Sequence, residues 1–161
     1  MLVRLLIASV LILQCVACAN MQPIAAKKTA VIPAGREDEY ANWHYAPAMK
    51  VGDTIIVSGI TAHGEGSYEE KIRRMFDTAK KTLEAAGASM ADVVEINTYH
   101  VNPKDTQSFW NEFQEFSKIH HEYFPDNYPA WTAVGTTALL SPDAPVEMRL
   151  VAVIGSGVKR Q

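Results

Sequence analysis

Apolar residues return at helical spacing along two stretches of the chain. Ile72, Met75, Phe76, Ala79 and Leu83 recur at steps of three and four, while Arg73, Arg74, Lys80 and Lys81 point largely elsewhere. That pattern predicts an amphipathic helix lying on a sheet. Ser67 and Glu70 open it as a capping box and Gly87 stops it. A second helix is predicted from about Thr106 to Tyr123, with Phe109, Phe113 and Phe116 as its buried stripe and Trp110 and Ile119 on the flank. The remaining apolar runs have strand character. Thr29 to Pro33 opens a first strand, and Gly35 to Glu39 reads as a charged loop. Trp43 to Met49 alternates apolar with polar, then Gly52 and Asp53 turn the chain into Thr54 to Gly59. Being apolar on both faces, that strand is expected to be central and covered on both sides. Asp92 to Val101, Ala130 to Leu140 and Val146 to Ile154 complete the set. Two helices against one sheet make a two-layer α+β domain.

Composition changes this picture mainly at the start of the chain. Met1 to Arg4 is a short basic opening, Leu5 to Leu13 is apolar, and small residues follow. The division expected is residues 1–19 as a signal peptide, 20–28 as a linker and 29–161 as the domain. An apolar run of this length is too short for a membrane anchor, which needs roughly 20 residues. Ala17, Cys18 and Ala19 before Asn20 fit ordinary cleavage and release to the periplasm or medium; Val16, Ala17, Cys18 also resembles the end of a lipoprotein box, with Cys15 where an aliphatic residue is usual. Soluble export is the favoured route, and lipid anchoring through Cys18 is the alternative. Both cysteines lie in this leader, so the domain has no disulfide framework. A formal charge of −3 and the absence of a basic run exclude nucleic acid as an expected partner. His120 and His121 are neighbours on a helix and point to different sides, and no metal-ligand spacing or nucleotide-binding glycine pattern occurs, so neither a metal nor a cofactor is expected.

The chemistry-bearing residues fall into an ordered series. Tyr45, the strand end Val57, Ser58, Gly59, the segment Ala85 to Ser89, Asp92 to Val94, Tyr99, the run Tyr128, Pro129, Ala130, Trp131, and Val146, Glu147, Met148, Arg149 follow one another at set intervals. Together they resemble the Rid family (the YjgF/YER057c/UK114 group) over nearly the whole domain. The resemblance implies a chorismate-mutase-like α+β fold and a homotrimer with ligand clefts between subunits. It also implies a site that hydrolyses 2-imino or enamino acids. In deaminating members an arginine follows Pro-Ala and binds the substrate carboxylate; here Trp131 stands in that place, with one N–H donor and no charge. By the same resemblance Glu147 positions the attacking water, and Tyr45 and Ser58 line the cleft beside Trp131. Alternation places Arg149 on the same strand face as Glu147, where it either restores the missing positive charge or neutralises Glu147, the latter being favoured. The expected function is therefore binding of a small metabolite, such as an imino or keto acid, with the usual deamination lost or altered. An active imine or enamine deaminase with a changed substrate is the alternative.

Overall fold

A computed structural model describes residues 26–157. The 1–19 leader with Cys15 and Cys18, most of the 20–28 linker, and residues 158–161 lie outside the described residues. In chain order the elements are β1 (Lys28–Val31), α1 (Glu37–Ala41), β2 (Ala48–Val51), β3 (Thr54–Thr61), α2 (Tyr68–Ala86), a 3₁₀ turn (Met90–Asp92), β4 (Val93–Val101), α3 (Thr106–Tyr123), β5 (Ala130–Thr136) and β6 (Val146–Val153). The strands form one six-stranded sheet in the order β1-β2-β3-β6-β4-β5. Only β4 and β5 run parallel, and α3 is the crossover that parallel neighbours require. The last strand in sequence, β6, sits antiparallel between β3 and β4.

Local chemistry sets the helix ends. Ser67 Oγ accepts the Glu70 backbone N–H while Glu70 Oε2 accepts the Ser67 N–H at 2.7 Å, so two otherwise unpaired donors of α2 are satisfied reciprocally. At the other end Gly87 turns left-handed with φ of 83°, a conformation that costs a residue with a Cβ more than it costs glycine. Between them Ile72, Met75, Phe76, Ala79 and Leu83 are buried as their spacing predicts. They meet Ile55 and Val57 of β3, Ile96 of β4 and Met148 and Leu150 of β6 in one core. Each large apolar side chain of that core contributes roughly 1.5–3 kcal/mol.

Four expectations are corrected. Residues 35–39 are not wholly a loop, because Glu37–Ala41 forms the short helix α1; its acidic first turn, Glu37, Asp38 and Glu39, suits the positive end of a helix. Strand β3 is central in the sheet, yet it is covered on one face only, and Ile56 is 36% exposed while Ile55 and Val57 are buried. In α3 the fully buried residues are Phe116, Ile119 and His120, with Phe109 and Phe113 only half-buried. The front of α3 overhangs the edge of the sheet, where Phe113 meets Trp131 of the outermost strand instead of the core centre. Strand β5 also stops sooner than its sequence suggests: Thr136 Oγ1 donates to the Ala138 carbonyl, and the chain leaves the sheet there.

Candidate functional site

The sheet has two unlike faces. On β6, Val146, Met148, Leu150 and Ala152 turn toward the helices and are buried, and Glu147, Arg149, Val151 and Val153 turn to the open side. Register then brings Thr61 of β3, Glu147 of β6, Tyr99 of β4 and Val134 of β5 into one row across that open face. Above the row lies a concavity of about 350 Å³ lined by Gly59, Tyr99, Glu147 and Arg149 and by Leu139 and Leu140 from the loop after β5.

Glu147 lies directly over Gly59, and any Cβ at that position would collide with its carboxylate. Among the described residues the Glu147 carboxylate has no hydrogen-bond or ion-pair partner, and burial pushes its carboxyl above the usual carboxylate range. The register of β3 against β6 shifts between Val57 and Ile60, so the strand bulges where Ser58 and Gly59 meet Glu147. Ser58 does not aim its hydroxyl into the concavity. Its Oγ donates to the Ala46 carbonyl at 2.7 Å and its N–H to the Pro47 carbonyl at 3.0 Å, which ties the Tyr45 loop to the strand end. Tyr45 is itself part-exposed. Burial, then the neighbouring Glu39 carboxylate, push its phenol up, and Glu39 is in turn gripped by both nitrogens of an Arg36 fork at 2.7 Å. Gly59, next to Ser58, lines the concavity with Glu147, whereas Tyr45 and Ser58 are not among its lining residues.

Arg149 stands apart from the pairing favoured for it. Its ion pair is with Glu95, at 3.7 Å, and not with Glu147; Asn97 Nδ2 donates to the same Glu95 oxygen at 2.6 Å. The guanidinium lines the concavity but does not neutralise Glu147.

Trp131 lies on the other face. It is half-buried against α3, in register with Ile96, and its indole N–H donates to Thr98 Oγ1 at 3.0 Å. From there a chain of polar groups runs inward and out again: Thr98 to His100 Nε2 at 3.0 Å, His100 Nδ1 to Glu112 at 3.0 Å, and the Tyr68 hydroxyl to Glu112 at 2.8 Å. An indole only donates and a carboxylate only accepts, so every member is satisfied when Thr98 gives its proton to Nε2 and His100 gives Nδ1–H to Glu112. Within one chain, Trp131 and Glu147 are therefore on opposite sides of the sheet.

The indole also stacks on His120, with ring centres 4.3 Å apart and planes 14° off parallel. His120 is only 6% exposed and its Nε2 has no partner among the described residues. Burial, and secondarily His121, lower its pKa from 6.5 to about 4. The sign follows from the unfolded chain binding the proton first. Stability from this group is complete above about pH 6.5 and is lost as pH falls toward 4, by up to roughly 3 kcal/mol. Urea titrations at neutral and mildly acid pH should show that loss, and His120→Phe should flatten the slope in this window. An equally steep slope in the variant would assign the acid sensitivity to other groups.

Sequence reasoning did not single out Gly59 as the floor beneath Glu147, or Leu139 and Leu140 as rim. For Tyr99 the signal was available, since period-2 alternation marks one face of β4; the missing datum was the β4–β6 register that sets it beside Glu147.

Comparison with known proteins finds relatives of the chain as a whole. A family model described as Endoribonuclease L-PSP matches residues 37–154. The chain is 34% identical over 134 residues to the RutC family protein YjgH of Escherichia coli strain K12, a match covering 80% of this chain and 96% of that one. It is 30% identical over 117 residues to a 2-iminobutanoate/2-iminopropanoate deaminase of Dermatophagoides farinae, covering 68% and 85% respectively. Its fold matches the crystal structure of a YjgF/YER057c/UK114 family member from Mycobacterium tuberculosis with a TM-score of 0.66 and 26% identity, over 80% of this chain and 100% of that chain.

Proposed function

The chain belongs to the Endoribonuclease L-PSP family, the YjgF/YER057c/UK114 or Rid group, and we propose that it binds a small metabolite in clefts shared between three copies of itself, with 2-imino acid deamination lost or altered. The observation that carries this reading is the open sheet face. It presents Ile56, Val94 and Val134 uncovered, and in its midst a carboxylate, Glu147, raised by burial and without a partner among the described residues. A second copy set on this face would cover the apolar residues and close the concavity. The missing arginine supports the altered chemistry. Trp131 has a single donor, which Thr98 already engages, and Arg149 is paired with Glu95.

The state of Glu147 favours hydrolysis of a changed substrate as the second reading. An iminium carbon is already electrophilic, so the site needs only to orient a water and accept charge. The water oxygen attacks carbon as the C=N electron pair moves to nitrogen. Glu147 takes one proton of the water and returns it to the nitrogen, and as the carbinolamine collapses the C–N bond breaks, the hydroxyl proton passes to Glu147 and from it to the departing ammonia, leaving the carbonyl product and ammonium. A carboxyl with a raised pKa suits that exchange.

Export belongs to the same proposal, resting on the leader 1–19. Native mass spectrometry of the protein from its own host tests assembly and processing together. Three copies are expected, each beginning at Asn20; a diacylglycerol adduct on Cys18 would replace release with anchoring. A monomer at micromolar concentration would defeat the shared cleft. On the same material, a thermal-shift screen of keto acids and neutral analogues should find a compound that raises Tm in the native protein but not in Glu147→Gln.

A further inference from the structure

We propose that the slot between the front of α3 and the edge strand β5 binds a planar aromatic ring that carries an uncharged hydrogen-bond acceptor and no carboxylate. The proposal rests on the function proposed above in placing the slot beside a second copy, and it adds the class of ligand. The slot has a volume of about 210 Å³ and is lined by Thr106, Phe109, Trp110, Phe113 and Ala133. A closed apolar cavity of about 150 Å³ suffices for benzene, so one ring with a short substituent fits.

The walls favour a flat guest. A file of rings runs along α3: His120 on Trp131 at 4.3 Å and 14°, Trp131 on Phe113 at 4.7 Å and 32°, Phe113 on Trp110 at 5.9 Å and 20°. The file ends at Trp110, which is 56% exposed. One more ring would extend it in the offset geometry that aromatic pairs prefer. Ala133 makes the room, because a longer side chain at that point of β5 would fill the slot. Trp110 also keeps a free donor, its indole N–H having no hydrogen-bond partner among the described residues.

The surroundings turn away an anion. Among the described residues, no charged side chain lines the slot. The Trp131 N–H is engaged by Thr98, and His120, with a pKa of about 4, adds no positive charge at neutral pH. A carboxylate entering here would lose its hydration and gain no cation, which is unfavourable. A ketone or imine brings no charge to desolvate, and a single donor satisfies its acceptor.

Acetophenone, benzoate and cyclohexyl methyl ketone separate these demands, sharing size while differing in charge and flatness. Titrated into the mature full-length protein by calorimetry or ligand-observed NMR, acetophenone should bind at least about fivefold more tightly than either of the others. Ala133→Leu, which fills the slot, and Trp110→Ala, at an exposed position that leaves the core intact, should each weaken it about fivefold or more. Benzoate binding as well as acetophenone, no saturable binding of acetophenone, or indifference to both substitutions would overturn the proposal. A monomer that still binds acetophenone in an Ala133-sensitive manner would sink the shared cleft and leave the slot standing; a trimer indifferent to both substitutions would do the reverse.

Discussion

Replacing Trp131 with alanine is expected to destabilise the folded domain by about 3 kcal/mol or more, read as a lower urea midpoint at unchanged slope. The indole is packed against His120, Phe113 and Phe116, and its N–H holds the end of the Thr98–His100–Glu112–Tyr68 chain. Alanine removes the rings' common neighbour and leaves a gap that the sheet and α3 close only in part. The polar component separates by Trp131→Phe, which keeps a ring and loses the donor; about 1 kcal/mol is the expected cost. Trp131→Arg should be nearly as harmful as alanine, because its guanidinium would arrive in an aromatic layer without a carboxylate beside it. A loss below about 1 kcal/mol for Trp131→Ala, against the roughly 3 expected, would mean that the indole is not part of the fold's support and would return it to the role of a purely ligand-facing wall.

Freshly generated 2-iminobutanoate is expected to be hydrolysed on the order of 100-fold more slowly by this protein than by a relative with arginine after Pro-Ala. A charged hydrogen bond to a carboxylate is worth about 1.5–3 kcal/mol, and its loss at full strength is a factor of roughly 100 in transition-state binding. Neither Arg149 nor Arg36 compensates. Arg149 is paired with Glu95, and Arg36 is held by Glu39. Ammonia release under matched protein concentration measures the difference, and turnover within about threefold of the arginine-bearing relative, where about 100-fold is expected, would reject it.

Much of the fold was legible because its signals are local. The capping box at Ser67 and Glu70, the stop at Gly87 and the span of α3 are written in neighbouring residues, and each appears where the sequence places it. The exposure of Ile56 was not legible, since an apolar residue on an uncovered face reads the same as one in a core until the other layer is known to be absent. On β6 the alternation of Val146, Glu147, Met148 and Arg149 assigns faces without ambiguity. On β5 the run Ala130, Trp131, Thr132, Ala133 has little contrast in polarity, so only the pairing of Trp131 with Ile96 reveals which way the indole turns. Arg149's partner was hidden for a similar reason. Glu95 comes within reach because β4 lies beside β6, a neighbourhood between segments far apart in the chain.

The polar chain from Tyr68 to Trp131 has a bearing on how such a protein can change over generations. Its members come from α2, α3, β4 and β5, and each leaves another without its match when lost. A lineage acquiring arginine at position 131 would have to revise positions 98, 100 and 112 in concert, so the indole is held in place by its neighbours and is hard to replace one codon at a time.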